Sequence, residues 1–353
     1  MLSEFSASEL RWRFANAFQP CPWIYWSDLL ASAGVGWAAF GLGVKVPFGS
    51  FLYITVTIVA VVALLRTAIF IHELAHLKRG ALPGFEIAWH FLAGLPFMLP
   101  SLMYVGSHAD HHRQATFGTI DDPEYAPLAR WSSLRITWFV VSMSLVPVLL
   151  ACRWGILGPL SYFIHPLRRL VVERASTLVI NPNYRRPLPS GQQVVRWRIQ
   201  ETSAALTCWI TIACGIVGWI PLRWFFQWYV VAIGVVLVNQ LRTLAAHRYD
   251  NDGTPLDSIG QLLDSVTLSG WPVPTVLAAP VGLRYHALHH FLPTVPYHSL
   301  GTLHRQLLAE LPADSPYRRT QRSGILTTVR DLLGRQESRD TKIRSAARAA
   351  GKA

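Results

Sequence analysis

The chain has 353 residues, of which 51% are hydrophobic and 15% are charged, and its formal net charge is +12. Soluble domains usually carry about a quarter charged residues, so this composition argues against an ordinary soluble enzyme. The four cysteines form no CxxC pair, which excludes thioredoxin-like and rubredoxin-like sites. No recognisable nucleic-acid-binding module accompanies the positive charge, so we expect no nucleic-acid partner.

Four stretches without a charged residue dominate the hydropathy pattern, and three of them are about as long as a bilayer core requires. These stretches are Leu29–Val44, Val46–Leu65, Ala204–Leu222 and Trp224–Leu241. Short turns separate the first from the second and the third from the fourth. The pattern therefore predicts an all-α polytopic membrane protein with four transmembrane helices in two hairpins.

Eight of the 13 histidines fall into three short motifs. The first, second and third motifs are His72-Glu-Leu-Ala-His76, His108-Ala-Asp-His111-His112 and His286-Ala-Leu-His289-His290. Positions i, i+3 and i+4 of a helix lie on one face, and imidazole is a common ligand of iron, copper and zinc. Eight imidazoles exceed what one tetrahedral zinc needs, so the motifs predict a site that holds two metal ions.

Two further apolar segments, Ile87–Ser107 and residues 136–164, are interrupted by glycine and proline. If the first crossed the membrane, the first and second histidine motifs would lie on opposite sides and could not form one site. Residues 136–164 are followed by an Arg-rich stretch. We expect this stretch to lie on the same side of the membrane as the beginning of the segment. We therefore predict that both segments are re-entrant or interfacial and that the motifs form a cytoplasmic cap.

The positive charge is concentrated in two segments. Residues 165–200 hold seven Arg and one Glu, and residues 313–353 hold ten Lys or Arg and four acidic residues. The positive-inside rule places both segments on the cytoplasmic side of a membrane, here predicted to be a bacterial cytoplasmic membrane. We divide the chain into a membrane domain, residues 1–312, and a basic C-terminal tail, residues 313–353, which is expected to lie on anionic lipid.

The three motifs and their order resemble those of the membrane-bound fatty acid desaturase and hydroxylase superfamily. The resemblance covers roughly residues 29–305, including Phe-Leu-Pro-Thr-Val-Pro after the third motif. It implies a non-haem di-iron centre with two iron ions, molecular oxygen as co-substrate, and a separate electron donor of the ferredoxin, rubredoxin or cytochrome type. The implied reaction is desaturation of a fatty-acyl chain of a lipid. Hydroxylation or ketolation of a lipid or hydrocarbon is the alternative within the superfamily.

The resemblance also implies a ninth histidine before the third motif, and His247 is the only one in that interval. The implied metal ligands are His72, His76, His108, His111, His112, His247, His286, His289 and His290. Related stearoyl-coenzyme A desaturases have an asparagine one helical turn before the ninth histidine, and it reaches the metal through water. Thr243 occupies that position here and Asn239 lies one turn further back, so the sequence departs from the family pattern.

Side chains near the motifs are expected to orient the imidazoles. The predicted orienting carboxylates are Glu73, Asp110, Asp250 and Asp252. Histidines outside the motifs are expected to be structural, because a lone histidine is usually not a ligand. These are His90, His165, His298 and His304.

The first motif also fits the HExxH pattern of zinc proteases, including intramembrane ones, in which Glu73 would be the general base. This alternative leaves the second and third motifs without a role. A metal carrier or sensor without catalysis would not need the desaturase-like sequence that surrounds the third motif. The desaturase interpretation therefore accounts for more of the chain.

Overall fold

The structure is a computed structural model that describes residues 7–178 and 180–334, and nearly all of its regular structure is helical. The α-helices are α1 (Ala7–Arg13), α2 (Pro22–Lys45), α3 (Phe51–His76), α4 (Phe85–Trp89), α5 (Ser107–His111), α6 (Ser133–Ser142), α7 (Val146–Cys152), α8 (Gly158–Ser161), α9 (His165–Arg174), α10 (Gln192–Ile216), α11 (Leu222–Leu244), α12 (Ser258–Asp264), α13 (Pro272–Ala278), α14 (His286–Phe291) and α15 (Tyr297–Glu310). Residues 325–334 are also helical.

Short irregular helices and one small sheet complete the described secondary structure. The 3₁₀ turns are Ala15–Phe18, Ser101–Met103, Leu128–Arg130, Met143–Leu145 and Pro316–Thr320, and the π-helical turns are His90–Gly94 and Arg153–Leu157. Strand β1 (Thr267–Leu268) pairs in parallel with β2 (Gln321–Arg322), with Thr267 opposite Gln321.

Four helical segments are long and apolar enough to cross a membrane, which confirms the predicted all-α membrane architecture. They are α2, α3, the run Ser133–Ser161 that joins α6 to α8, and α11. Helices α2 and α3 form the first predicted hairpin, and the Ser50 hydroxyl caps α3 by accepting a hydrogen bond from the Tyr53 amide at 3.1 Å. Helix α3 continues without a break to His76, so a membrane helix carries the first histidine motif directly.

The four candidate membrane spans differ from the four predicted transmembrane helices in two respects. The run Ser133–Ser161 is included, although its middle was predicted to be a dipping hairpin. Helix α10, whose second half was predicted to cross, is not included. The reason is compositional, since Arg196, Arg198 and Glu201 occupy the first half of this 25-residue helix and lower its apolar character.

The contacts of Ser133–Ser161 show how this run is placed against α11. Near its start, Ile136 packs in the same apolar cluster as Leu244, the last residue of α11. Further along, the Ser144 carbonyl accepts a hydrogen bond from the Tyr229 hydroxyl at 3.2 Å. Tyr229 precedes Leu244 by about 15 residues, or roughly 22 Å of helix. The first half of the run therefore moves away from the end of α11 that leads to His247.

The second half of the same run turns back. The Arg153 guanidinium pairs with the Glu201 carboxylate at 2.8 Å in a buried ion pair. The neighbouring Gln200 accepts a hydrogen bond from the Leu102 amide at 2.8 Å, and Leu102 lies just before the second histidine motif. Both ends of Ser133–Ser161 are therefore close to the histidine motifs, although its length and composition would allow a crossing.

The segment that includes α4 and the π-helical turn enters and leaves on one side, as predicted for a re-entrant segment. The Ser101 hydroxyl at its end donates to the Glu86 carboxylate at its start, at 2.9 Å. Its far point is held by the Trp228 indole, which donates to the Pro96 carbonyl at 2.8 Å. His90 bonds the Glu86 carbonyl and the Ser101 amide, which is the structural role expected of it.

Residues 313–334, the first part of the predicted tail, pack against the cap that carries the histidine motifs. Tyr317 and Thr320 are fully buried, Leu332 is 1% exposed, and β2 pairs with β1. The His304 ring bonds the Tyr317 hydroxyl at 2.6 Å, which gives that histidine a structural partner. Residues 335–353 lie outside the described residues, so the domain boundary itself stays a prediction.

Candidate metal centre

The nine predicted histidines come together from four places in the chain. The end of α3, the helix α5 with the residue after it, the loop after α11, and α14 each contribute. Their ring nitrogens fall into two groups, within each of which the ligand atoms lie no more than 4.8 Å apart. The first group is His72, His76, His108, His112 and His289, and the second group is His111, His247, His286 and His290.

Helical spacing explains how the second and third motifs serve both groups. On α5, His108 and His112 are four residues apart and join the first group, whereas His111 joins the second. On α14, His286 and His290 are four residues apart and join the second group, whereas His289 joins the first. Residues i and i+4 lie one above the other on a helix, and residue i+3 is offset around the axis. Each HxxHH motif therefore contributes to both groups.

In each group, one Nε2 atom lies at hydrogen-bonding distance from two other Nε2 atoms at once. In the first group, Nε2 of His112 lies 3.0 Å from both Nε2 of His108 and Nε2 of His289. A neutral imidazole nitrogen either carries a proton or offers one lone pair, so it cannot satisfy both neighbours. In the second group, Nε2 of His286 lies 3.0 Å from His247 and 3.1 Å from His290. A cation between the nitrogens would satisfy all of them.

The spacing also bears on the coordination geometry. With a metal–nitrogen bond of about 2.1 Å, neighbouring ligands at 90° lie about 3.0 Å apart, whereas tetrahedral ligands lie about 3.4 Å apart. The observed 3.0 Å between His108 and His112 fits the first arrangement. A structural zinc has four ligands and a catalytic zinc usually three from the protein, so five converging histidines exceed the needs of a zinc protease.

Burial favours the neutral form of most of these imidazoles, and several of their nitrogens have no partner among the described residues. The Nε2 atoms of His72 and His76 are buried and make no hydrogen bond, which is rare for polar groups in a protein interior. Burial, reinforced by neighbouring histidines, lowers the pKa of the histidines that lie outside the membrane helices. This holds for His108, His112, His247, His286, His289 and His290. Neutral rings offer the lone pair that a metal needs.

Three carboxylates lie beside the rings, of which Asp122 and Asp264 are buried and Glu124 is partly exposed. Glu124 accepts from Nδ1 of His108 at 2.6 Å, and Asp122 accepts from Nδ1 of His111 at 2.9 Å. An Asp264 oxygen lies 3.3 Å from Nδ1 of His247. A carboxylate oxygen that accepts from Nδ1 places the proton there, so Nε2 of His108 and His111 is free to face a metal. The hydrogen-bond partner of Nδ1 in His247 is the Ser265 hydroxyl, at 3.3 Å. Burial alone would lower the pKa of His111, but the Asp122 carboxylate raises it overall.

The predicted orienting carboxylates were wrong. Glu73 accepts from the Tyr25 hydroxyl and from the Tyr297 amide, and it lies 3.8 Å from Nδ1 of His72. Asp110 binds the Tyr184 hydroxyl. Adjacent helical positions point about 100° apart, so a residue next to a ligand faces away from the metal. Two of the four, Asp250 and Asp252, are exposed.

A weak signal for two of the actual partners is present in the sequence. Asp121-Asp122-Pro123-Glu124 follows the second motif by nine residues and is an acidic cluster in a chain with few charges. Near the ninth histidine, Thr243 donates to the Asn239 carbonyl at 2.9 Å. Neither Thr243 nor Asn239 bonds a histidine. Of the histidines expected to be structural, His165 is exposed and His298 accepts from the Cys21 amide at 3.1 Å.

The comparisons with known proteins agree with this site. The family model described as "Fatty acid desaturase" matches residues 48–322, which is most of the chain and includes every histidine of both groups. The chain therefore belongs to the fatty acid desaturase family, a family of membrane enzymes that act on lipids.

Among individual proteins, the chain is similar to a protein named ceramide hydroxylase from Caulobacter vibrioides (strain NA1000 / CB15N). The two are 38% identical over 322 residues, which is 91% of each chain. No solved structure matches the chain significantly. Family membership removes the support for a zinc protease and for a metal carrier, and it makes this protein a membrane oxidoreductase.

Proposed function

We propose that this protein is a lipid hydroxylase that inserts one oxygen atom from molecular oxygen into a C–H bond of a ceramide-like lipid. The observation that carries the proposal is the convergence of nine histidines, seven of them buried, into two groups, in a chain 38% identical to a ceramide hydroxylase. Two iron ions bound there would activate oxygen for this insertion. The second oxygen atom would leave as water, with two protons and with two electrons from a separate donor protein.

The residues of this chain would hold and shield that chemistry. The first group would bind one iron and the second group the other, and the carboxylates of Glu124 and Asp122 leave the Nε2 atoms of His108 and His111 unprotonated for this role. Seven of the nine histidines are buried, which keeps bulk water from most of the site; for example, His108 is fully buried and His289 is 2% exposed. His76 and His112 are partly accessible. Helices α3 and α11 lead from the apolar region to the site, so a lipid chain could reach it without entering water.

Desaturation is the second candidate, supported by the family model that the chain matches. Both reactions begin by removing one hydrogen from the lipid and use the same histidines. They differ in whether the carbon then gains a hydroxyl or the neighbouring carbon loses a second hydrogen. The fatty-acyl desaturation predicted from the sequence therefore stays open, while the named relative favours hydroxylation.

Expression in a host with a defined lipid composition, followed by mass spectrometry of its lipids, tests the proposal. We expect ceramide-like lipids that are one oxygen atom heavier, and two irons per purified chain. Lipids that are two hydrogen atoms lighter would support desaturation instead. One zinc per chain without iron uptake, or no change in any lipid, would contradict both reactions.

We further propose that the nine histidines lie on the cytoplasmic side of the membrane. The predicted topology places the two basic segments on the same side as the histidines, and basic segments usually face the cytoplasm. Single cysteines in a cysteine-free background test this at three exposed positions, Ala115, Ser190 and Asp314. In intact cells we expect none of the three to react with a membrane-impermeant thiol reagent. A cysteine at Phe48, which is 68% exposed in the turn between α2 and α3, should react and serves as the control.

The substitution Glu73→Gln separates the proposed oxidase from a zinc protease. Glu73 faces Tyr25 and the Tyr297 amide, and glutamine keeps its shape and one accepting oxygen. We expect at most a loss of roughly 10–100-fold, as for other groups near a metal ligand. Turnover and metal content of the purified variant measure this. Complete loss of activity with full metal content would instead indicate a general base that activates water.

A further inference from the structure

Arg242 is a partly buried cation close to both groups of histidines. It lies in the last turn of α11, and Nη2 donates to Oδ1 of Asn239 and to Oγ1 of Thr243, each at 3.0 Å. Its Nε is buried and makes no hydrogen bond. Within residues 7–178 and 180–334, no carboxylate oxygen lies within 4.0 Å of its guanidinium. Its hydrogen-bond partners among the described residues are uncharged neighbours on its own helix, and the Glu124 carboxylate acts on it only from beyond ion-pair distance.

The position of this charge is unfavourable for the metals. The guanidinium lies within electrostatic reach of His72 from the first group and His286 from the second. A positive charge there opposes the binding of cations, so it does not serve the metal ions. A desolvated charge without a directly paired counter-ion is costly, and ionisable groups at membrane depth usually have a functional role. The guanidinium is therefore available to bind an electron-rich group of a ligand.

A second donor lies beside Arg242, one turn nearer the membrane. The Nδ2 atom of Asn239 donates to no described residue, while its Oδ1 is held by Arg242. A lipid that travels along α11 toward the histidines would meet Asn239 first and Arg242 next. A purely hydrocarbon chain would displace water from both donors without offering them an acceptor, which is costly. A carbonyl or hydroxyl oxygen on the lipid would satisfy them.

We propose that Arg242 and Asn239 bind a carbonyl or hydroxyl oxygen of the lipid substrate, so that the oxidised carbon lies within a few bonds of that polar group. This inference rests on the proposed lipid oxidation and narrows its substrate class. It predicts a functionalised lipid, such as one with an amide or ester near the reacting carbon, rather than oxidation in the middle of an unfunctionalised chain.

Binding without turnover tests the inference. The full chain, purified in detergent with its metal, is titrated without reductant against a radiolabelled N-acyl sphinganine, a diacylglycerol and a hydrocarbon of similar length. For Arg242→Met we expect roughly 10–100-fold weaker binding of at least one of the two carbonyl lipids, as for the loss of a hydrogen bond to a charged group. Binding of the hydrocarbon should stay within about twofold. The carbonyl lipid that loses affinity identifies an amide or an ester as the acceptor.

Matched variants keep the result interpretable. Arg242→Lys should restore part of the affinity, and Arg223→Met, at the opposite end of α11, should leave all three affinities unchanged. If Arg242→Met does not fold, Asn239→Leu should still weaken carbonyl-lipid binding severalfold. Equal losses for the hydrocarbon and the carbonyl lipids, a loss of iron, or no loss at all would overturn the inference.

The two proposals can fail separately. If the wild-type protein oxidises no lipid, the proposed function fails, whatever the binding titrations show. If the wild-type protein oxidises a lipid while Arg242→Met binds every lipid as the wild type does, only the role of Arg242 is wrong. Product analysis of Arg242→Met adds a second readout, because a lost anchor should spread oxidation over several neighbouring carbons.

Discussion

Replacing His289 with alanine is expected to abolish lipid oxidation and to lower the iron content of the purified protein. His289 is 2% exposed, and its Nε2 lies 3.0 Å from Nε2 of His112 in the first group. It is the only member of that group supplied by α14, so its loss removes the link between the third motif and the first metal position. Losing an outer partner of a ligand already costs 10–100-fold, so losing the ligand should cost at least about 100-fold.

Turnover and iron content should be measured on the same preparation of His289→Ala. The matched control is His165→Ala, because His165 is an exposed histidine at the start of α9 and lies outside both groups. The control should keep wild-type activity and iron. If His289→Ala retained both as well, the first group would not be a metal site.

Replacing Asp122 with asparagine is expected to weaken metal binding by roughly 10–100-fold, mainly at the second group. Asp122 is fully buried and accepts from Nδ1 of His111 at 2.9 Å. The same carboxylate accepts from the backbone amides of Gly118 at 2.8 Å and Glu124 at 2.9 Å. An asparagine has one accepting oxygen and must turn its NH₂ group toward one of these donors. His111 would then lose its fixed orientation and the negative charge behind it.

The retained iron should be measured against increasing chelator concentration, with Asp121→Asn as the control. Asp121 is adjacent but exposed, so its substitution tests the loss of one negative charge without the loss of the contact. We expect Asp122→Asn to lose about one of two irons at a chelator concentration that the control withstands. Identical curves for the two variants would mean that Asp122 does not support a metal ligand.

Much of the site could be predicted from the sequence because its spacing is local. The i, i+3 and i+4 pattern places the histidines of one motif on one side of a helix, whatever the rest of the chain does. His247 was identified through the family resemblance, and the structure places it in the second group. The first hairpin was equally predictable, since two long uncharged stretches with a short turn between them have few alternatives in a membrane.

Only the tertiary structure decided how the motifs share the two groups. Helical spacing separates His111 from His108 and His112, but which histidines of α14 join each of them depends on how α5 and α14 pack, and the sequence spacing does not contain that packing. The orienting carboxylates likewise come from separate parts of the chain, since Asp264 lies on α12.

The placement of the apolar segments likewise depends partly on local composition and partly on tertiary contacts. Hydropathy measures length and composition, so Ser133–Ser161 qualifies as a crossing while α10, with its buried Glu201, does not. The ion pair of Glu201 with Arg153 turns that run back toward the histidines. Local composition determined that this is a helical membrane protein with histidine-rich motifs. Long-range packing decided which helices pair and which side chains meet, because those contacts join residues that are far apart in the chain.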